Sequence, residues 1–203
     1  MKRLLFLALA MIFCFPVLAE NSPAPAPVAS TEHLKLGEKV AGFSLQDLNG
    51  KTVKLSNSFG KITMIFFWSA RCPFMKRYEE RIKTIARDYA GKEVVVLGIA
   101  SNADETLDEI KKVASTRGIN YPLLIDTGNK IANQFGAITT PHVFILDREG
   151  QLAYEGAVDD QGWIDTNEPK IHYARQALDE LLGAKQVTHT HAITAGCTVK
   201  RKF

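Results

Sequence analysis

The stretch "ITMIFFWSARCPFMKRYEERI", residues 62–82, joins an apolar run to a charged segment through a turn that carries one cysteine. The run 62–68 is rich in β-branched and aromatic residues, which predicts a buried strand. Residues 75–90 place apolar side chains at helical spacing and end before Gly91, which predicts an amphipathic helix. A cysteine at a strand-to-helix turn meets unpaired backbone N–H groups and the positive end of the helix dipole. Both favour a thiolate, so Cys72 is predicted to be a nucleophile.

The residues around Cys72 support a reactive thiol. Arg71 and Lys76 add positive charge, and Pro73 is tolerated because N–H groups of a first helical turn lack intrahelical partners. Ser69 can cap the helix or donate a hydrogen bond to the thiolate. The alternative is an inert cysteine in the core, because free cysteine is among the most buried residue types. The turn and its charges favour the reactive thiol.

The rest of the pattern predicts an α/β fold with a mixed central sheet flanked by helices. Residues 40–55 alternate around the turn "DLNGK" and predict an N-terminal β-hairpin extension. Two apolar runs around "DREGQ", within residues 139–158, predict a second hairpin. Further strands are predicted at 93–101 and 121–126, and further helices at 104–118 (with Asp104 as N-cap), 129–137 and 169–183.

The first residues read as an export signal. Lys2 and Arg3 precede an apolar run that ends in "VLA" before Glu20, which predicts a signal peptide over residues 1–19 and a periplasmic protein. A membrane anchor is the alternative, but the run is shorter than the roughly 20 residues of a spanning helix and Pro16 interrupts it. No stable membrane anchor is therefore expected after cleavage.

The remaining chain divides into three predicted parts. Residues 20–35 contain "NSPAPAPVAS" and predict an extended linker. Residues 36–183 form the predicted domain, which is long enough for a proper core. Residues 184–203 form a C-terminal tail that carries Cys197 and has no period, so it is predicted to run over the surface.

The charge balance gives no reason to expect a nucleic-acid partner. Without Lys2 and Arg3, the 25 basic residues fall to 23 against 22 acidic ones, so the net charge drops from +3 to +1. No glycine-rich phosphate loop or dinucleotide fingerprint is present, and no cofactor is expected.

Three separated segments resemble one family. "RCPFMKRYEERI" (71–82) is similar to a "HCPxxKxYExRL" segment, "YEGAVDD" (154–160) to Tyr-x-Gly-x-x-Asp-Asp, and "ITAGCTVKRK" (193–202) to Gly-Cys-Thr/Ser-Ile-Lys. Over residues 36–203 the chain resembles redoxin-domain proteins of the peroxiredoxin-like branch, related to the alkyl hydroperoxide reductase and thiol-specific antioxidant group. The resemblance implies a thioredoxin-like fold in which Thr140 and Pro141, joined by a cis bond, pack beside Cys72 and shape its groove.

The sequence departs from this family at the site itself. Thioredoxin-like reductases have Cys-x-x-Cys, whereas this chain has Ser69 three residues before Cys72. Peroxiredoxins have Pro-x-x-x-Thr/Ser-x-x-Cys, and here Ile65 takes the proline position. Thr140–Pro141 occupies the region of their catalytic arginine, so Arg71 is the candidate substitute.

Cys197 is the other cysteine expected in the exported chain. It is predicted to resolve the sulfenic acid or mixed disulfide that forms on Cys72. A permanent Cys72–Cys197 bond is the alternative, because closing so long a loop contributes up to about 5 kcal/mol in the chain-entropy model. A third possibility is a free Cys197, or one that pairs with another molecule.

A metal site is a weaker alternative. His142, His189, His191 and Cys197 are ligands that copper or zinc accepts, but their spacing matches no standard site.

These observations predict an exported thiol-dependent oxidoreductase, either a peroxiredoxin-like thiol peroxidase or a thiol–disulfide exchange protein. Its partners would be a peroxide or disulfide substrate and a protein that donates thiols. The alternatives are a metal-binding module and a non-catalytic thioredoxin-fold module clipped by a structural disulfide.

Overall fold

The computed structural model describes residues 33–162 and 168–202. The predicted signal peptide and the predicted linker up to residue 32 lie outside this range. The described strands are β1 Ser44–Asp47, β2 Thr52–Lys54, β3 Ile62–Trp68, β4 Val94–Ala100, β5 Leu123–Ile125, β6 Thr139–Thr140, β7 Val143–Leu146, β8 Leu152–Gly156 and β9 Cys197–Thr198. The described helices are α1 Pro73–Asp88, α2 Leu107–Thr116, α3 Lys130–Phe135 and α4 Tyr173–Leu182. None of these helices has the length and apolar character needed to span a membrane.

Seven strands form one mixed sheet in the order β2-β1-β5-β4-β3-β7-β8. β3, β4 and β5 are parallel, while β7 pairs antiparallel with β3 and β8 with β7. The hairpin β1–β2 extends the other side of the sheet by pairing antiparallel with β5. The predicted α/β class, mixed sheet and N-terminal hairpin are confirmed.

β3 lies at the centre of the core because it has a strand on each side and a hydrophobic layer on each face. All seven of its residues are buried. Phe66 and Trp68 pack into the layer that contains α1 and α4. Ile65 and Phe67 pack into the opposite layer, which contains α3. This alternation follows from the two-residue period of a strand. Because both faces of β3 are packed, the position of the Cys72 turn at its end is fixed.

Helix boundaries differ from prediction where capping chemistry decides them. α1 begins at Pro73, two residues earlier than predicted, because proline is accommodated in the first turn. The prediction that Asp104 caps the second helix is wrong. Thr106 is the N-cap of α2, and its hydroxyl accepts a hydrogen bond from the Glu109 N–H. The last helix begins at Tyr173, after the predicted start at residue 169.

The C-terminal segment crosses the domain as a strap, which we define as residues 190–202. At its start, the Ala192 N–H donates to the Glu155 carbonyl at 3.1 Å. In its middle, β9 pairs antiparallel with β6. Near its end, the Ala103 N–H donates to the Lys200 carbonyl at 2.9 Å. The strap is therefore fastened on both sides of Cys197.

Candidate redox site at the Cys72 turn

Cys72 is buried in the turn that connects β3 to α1. Its sulfur donates to the Thr140 carbonyl at a Sγ–O distance of 3.0 Å. The Thr140–Pro141 peptide bond is cis and precedes β7, the antiparallel neighbour of β3. The structure thus brings Cys72 together with Thr140–Pro141, the arrangement that the family resemblance implies.

Cys197 lies directly against Cys72. In the β6–β9 ladder it is opposite Thr140, and the two sulfur atoms are 2.7 Å apart. Both residues are free cysteines. The separation is longer than a disulfide bond of about 2.0 Å, but it is short enough for the bond to form with little backbone movement.

Gly196 makes this close approach possible. A Cβ atom at position 196 would lie 2.4 Å from the Thr140 carbonyl oxygen, a distance that no real Cβ contact shows. The strap therefore needs glycine beside Cys197 in order to reach the Cys72 turn.

The environment of Cys197 keeps its proton on the sulfur. Burial, and then the neighbouring Cys72 sulfur, raise the pKa of the Cys197 thiol to about 11. The thiolate is the nucleophilic form of cysteine, so Cys197 is a poor first nucleophile at neutral pH. The raised pKa suits Cys197 to the second step of a two-cysteine reaction.

Ser69 does not cap α1, whose N-cap is Cys72, but it contacts the same turn. Its oxygen accepts a hydrogen bond from the Cys72 N–H at 3.1 Å. Its hydroxyl donates to the Glu105 carboxylate rather than to the Cys72 sulfur. A hydroxyl has only one proton, so the predicted donation to a Cys72 thiolate is not made in this structure.

Arg71 is directed to α2 instead of the thiol. Its Nε and Nη2 atoms each lie 2.7 Å from a carboxylate oxygen of Glu109, and Nη1 is 3.7 Å from Asp104. Proximity in sequence suggested that Arg71 acts on Cys72, but its guanidinium is paired with these carboxylates. The prediction that it substitutes for a catalytic arginine is therefore not supported by its contacts.

Two residues that sequence reasoning missed fix the turn. Glu105 accepts hydrogen bonds from the Ala70 N–H at 3.0 Å and the Arg71 N–H at 3.3 Å. Arg117 donates from Nη2 to the Ala70 carbonyl at 2.7 Å. Ala70 is therefore held through both its N–H and its carbonyl. No local pattern marks these partners, because they are 35 and 47 residues away along the chain.

The buried carboxylate of Glu79 forms an ion pair with Arg117. Glu79 of α1 is 4% exposed and accepts hydrogen bonds from Trp68 Nε1, at 3.2 Å, and from the Tyr121 hydroxyl. Its Oε2 atom is 3.5 Å from Arg117 Nη1, and the Arg117 guanidinium lies over the Trp68 ring. This network links the end of β3 to α1 and to the Cys72 turn.

The histidines proposed as metal ligands have other partners. His142 is buried on the Phe144 ring, with 4.3 Å between ring centroids. His191 Nδ1 is 3.3 Å from Glu155, and the His189 ring packs edge-on to Tyr173. Within residues 33–162 and 168–202, no group of three or more His, Cys, Asp or Glu side chains could hold a metal ion. The predicted alternative set of His142, His189, His191 and Cys197 is thus not assembled.

Comparison with known proteins gives a family match and several relatives. A family model described as AhpC/TSA matches residues 36–155. The thiol-disulfide oxidoreductase ResA of Bacillus anthracis is 29% identical over 124 residues, which cover 61% of this chain and 70% of the relative.

Solved structures agree with this match. A hypothetical protein, SMc02350 from Sinorhizobium meliloti 1021, has 31% identity and a TM-score of 0.77, and the match covers 84% of this chain and 97% of that one. Peroxidoxin BcpB from Mycobacterium tuberculosis shares the fold, with 24% identity and a TM-score of 0.57. That match covers 75% of this chain and 98% of the BcpB chain. The fold is thioredoxin-like, as predicted.

Proposed function

The chain belongs to the AhpC/TSA family, and we propose that it is a thiol-dependent oxidoreductase that exchanges disulfides through Cys72 and Cys197. The observation that carries the proposal is the 2.7 Å separation of the two sulfur atoms. The name of the ResA relative, a thiol-disulfide oxidoreductase, supports the same chemistry. The predicted leader, residues 1–19, supports action in the periplasm, where disulfides persist.

The first step is attack on the substrate. Cys72 first loses its proton to solvent, and its thiolate then attacks one sulfur of a substrate disulfide, so a Cys72–substrate S–S bond forms while the substrate S–S bond breaks. The departing substrate thiolate takes a proton from solvent. Thr140 and Pro141 form the wall beside the attacking sulfur, and Ser69 holds the Cys72 N–H.

Cys197 completes the exchange. It loses its proton to solvent and attacks the Cys72 sulfur, which releases the second substrate thiolate and leaves a Cys72–Cys197 disulfide. The substrate disulfide is reduced by two electrons and the cysteine pair is oxidised by two. A protein dithiol returns the pair to its reduced form by the reverse exchange.

Peroxide reduction is the second candidate, and family membership favours it. In that reaction, the Cys72 thiolate attacks a peroxide oxygen to give a sulfenic acid and hydroxide. Cys197 then attacks the Cys72 sulfur to form the same disulfide, and water is released.

Intact mass and peptide mapping distinguish these reactions. The reduced protein, residues 20–203, is mixed with one equivalent of oxidised glutathione or, separately, hydrogen peroxide. If the protein exchanges disulfides, treatment with oxidised glutathione should produce a Cys72–Cys197 disulfide in the wild type. In Cys197→Ser it should leave a trapped Cys72–glutathione adduct. Failure of oxidised glutathione to modify Cys72, or the same modification in Cys72→Ser, would contradict the proposed function.

A further inference from the structure

One carboxylate accepts hydrogen bonds from three donors of the Cys72 turn. Glu105 accepts from the Ser69 hydroxyl, from the Ala70 N–H at 3.0 Å and from the Arg71 N–H at 3.3 Å. A fourth donor, Asn102 Nδ2, is 3.1 Å from the same Oε1 atom that Ser69 contacts. Four donors from two segments of the chain thus converge on a single side chain.

We propose that Glu105 is a specificity-determining positioning residue, which withholds these donors from peroxide oxygen and thereby restricts Cys72 to disulfide substrates. The inference rests on the proposed function, because it concerns the choice between the two substrates of the same thiol.

The two reactions differ in what their leaving groups need. Attack on a peroxide forms an S–O bond and breaks the O–O bond, and the departing hydroxide needs a nearby proton or hydrogen-bond donor. Attack on a disulfide releases a thiolate, which is stable at neutral pH because the parent thiol has a pKa near 8.5. The leaving group therefore needs a nearby donor in the peroxide reaction but not in the disulfide reaction.

Ser69 is the side-chain donor whose loss matters most. Its oxygen is already bonded to the Cys72 N–H at 3.1 Å, so the hydroxyl lies beside the reactive residue. Its single proton is directed to Glu105. If the carboxylate were removed, the hydroxyl could turn toward an oxygen bound at the thiol.

The nearby Arg71 does not replace Ser69. The Arg71 guanidinium is paired with Glu109 and Asp104. On the strap side, the Cys72 sulfur faces Cys197 and the Thr140 carbonyl. Thr140 offers an acceptor there, and the Cys197 sulfur is a weak donor.

Asn102 connects Glu105 to the strap by hydrogen bonds. While its Nδ2 contacts Glu105, its Oδ1 accepts the Lys200 N–H at 2.8 Å. The carboxylate is therefore fixed between the Cys72 turn and the segment that brings Cys197 to the site.

The test is the ratio of two rate constants, for oxidation of Cys72 by hydrogen peroxide and by oxidised glutathione. Glu105→Ala is expected to raise the peroxide rate about tenfold, the effect of one charge-assisted hydrogen bond, and to leave the glutathione rate within about threefold. Glu105→Gln keeps an acceptor oxygen and should give a smaller gain in the same direction. Asp108→Ala, which removes an exposed carboxylate from the first turn of α2, is the matched control and should leave the ratio unchanged.

The double variant Ser69→Ala/Glu105→Ala identifies the donor that is released. Its peroxide rate should return to the wild-type value. An unchanged or lower peroxide rate in Glu105→Ala, or in Glu105→Gln if the alanine variant does not fold, would overturn the inference, as would a gain that survives in the double variant. Failure of the wild type to react with oxidised glutathione would instead overturn the proposed function.

Discussion

The two cysteines meet at 2.7 Å, but the segments that carry them are held by different forces. The Cys72 turn is held by side chains, namely the Glu105 carboxylate and the Arg117 guanidinium on the Ala70 peptide groups. The strap is held by backbone hydrogen bonds, by the two-residue pairing of β6 with β9 and, near its end, by side chains that include Asn102 and Asn129. The turn therefore depends on half-buried charges, whereas the strap combines backbone pairing with side-chain hydrogen bonds near its end.

This difference assigns different tasks to the two segments. The buried network ties the turn to β3 and α1, so displacing Cys72 would disturb the core. Cys72 is 2% exposed, whereas Cys197 is only partly buried, although Ala192 and Val199 of the strap belong to the core. Local opening occurs most easily where few apolar contacts are lost, so we expect Cys197 to be the cysteine that moves during exchange.

The largest expected effect comes from breaking the network beneath the turn. Glu79→Ala should lower the free energy of unfolding by about 3 kcal/mol or more, because it leaves Arg117 without its buried partner. Urea unfolding measures this loss. Glu80→Ala, the next residue in α1, is the control: Glu80 is exposed and pairs with Lys83, so the change should stay within about 0.5 kcal/mol. Equal effects of the two substitutions would contradict a supporting role for Glu79.

A second expected effect is a loss of stability at acidic pH that comes from His142. Burial, and then the charge of His191, lower the pKa of His142 to about 4. The folded-state pKa is below the unfolded value near 6.5, so the associated stability is fully present above pH 6.5 and is lost as the pH falls toward 4. The loss should approach about 3 kcal/mol.

Unfolding free energies at pH 7 and pH 4 test this expectation. His142→Phe keeps a ring against Phe144 and should remove that part of the pH dependence. An identical pH dependence in the variant would show that His142 does not titrate as its surroundings require.

The smallest expected effect concerns the strap alone. Gly196→Ala should slow formation of the Cys72–Cys197 disulfide about tenfold, because the added methyl group collides with Thr140 and overpacking of this kind costs about 1–3 kcal/mol. The rate is followed by alkylation of the remaining thiols. Gly42→Ala is the control, since a Cβ there meets no atom within 4 Å. Equal rates in the two variants would mean that close packing of the strap does not position Cys197.

The sequence predicted the segments whose signals are local. The bounds of β3 were predicted without error, because an apolar run flanked by polar residues defines a buried strand. The hairpin β1–β2 followed from alternation around an Asn-Gly turn. The position of Thr140–Pro141 beside Cys72 followed from the family resemblance.

The contacts that tune the site have no local signal. Ser69 and Glu105 are 36 residues apart, and only the folded chain shows that the hydroxyl is directed to the carboxylate. The two residues of β9 are too few to show a period, so the tail was predicted to lack regular structure. Arg71 was misjudged because adjacency in sequence does not determine the direction of a long side chain.

A redox titration of the wild-type protein shows whether Cys72 and Cys197 form a reversible dithiol–disulfide couple. The protein is equilibrated with dithiothreitol buffers of graded potential, and free thiols are counted by alkylation and mass measurement. A working redox pair gives one reversible two-electron transition between the dithiol and the Cys72–Cys197 disulfide, absent in Cys72→Ser and in Cys197→Ser. Thiols that stay reduced at every potential, or a disulfide that no buffer reduces, would contradict a working redox pair.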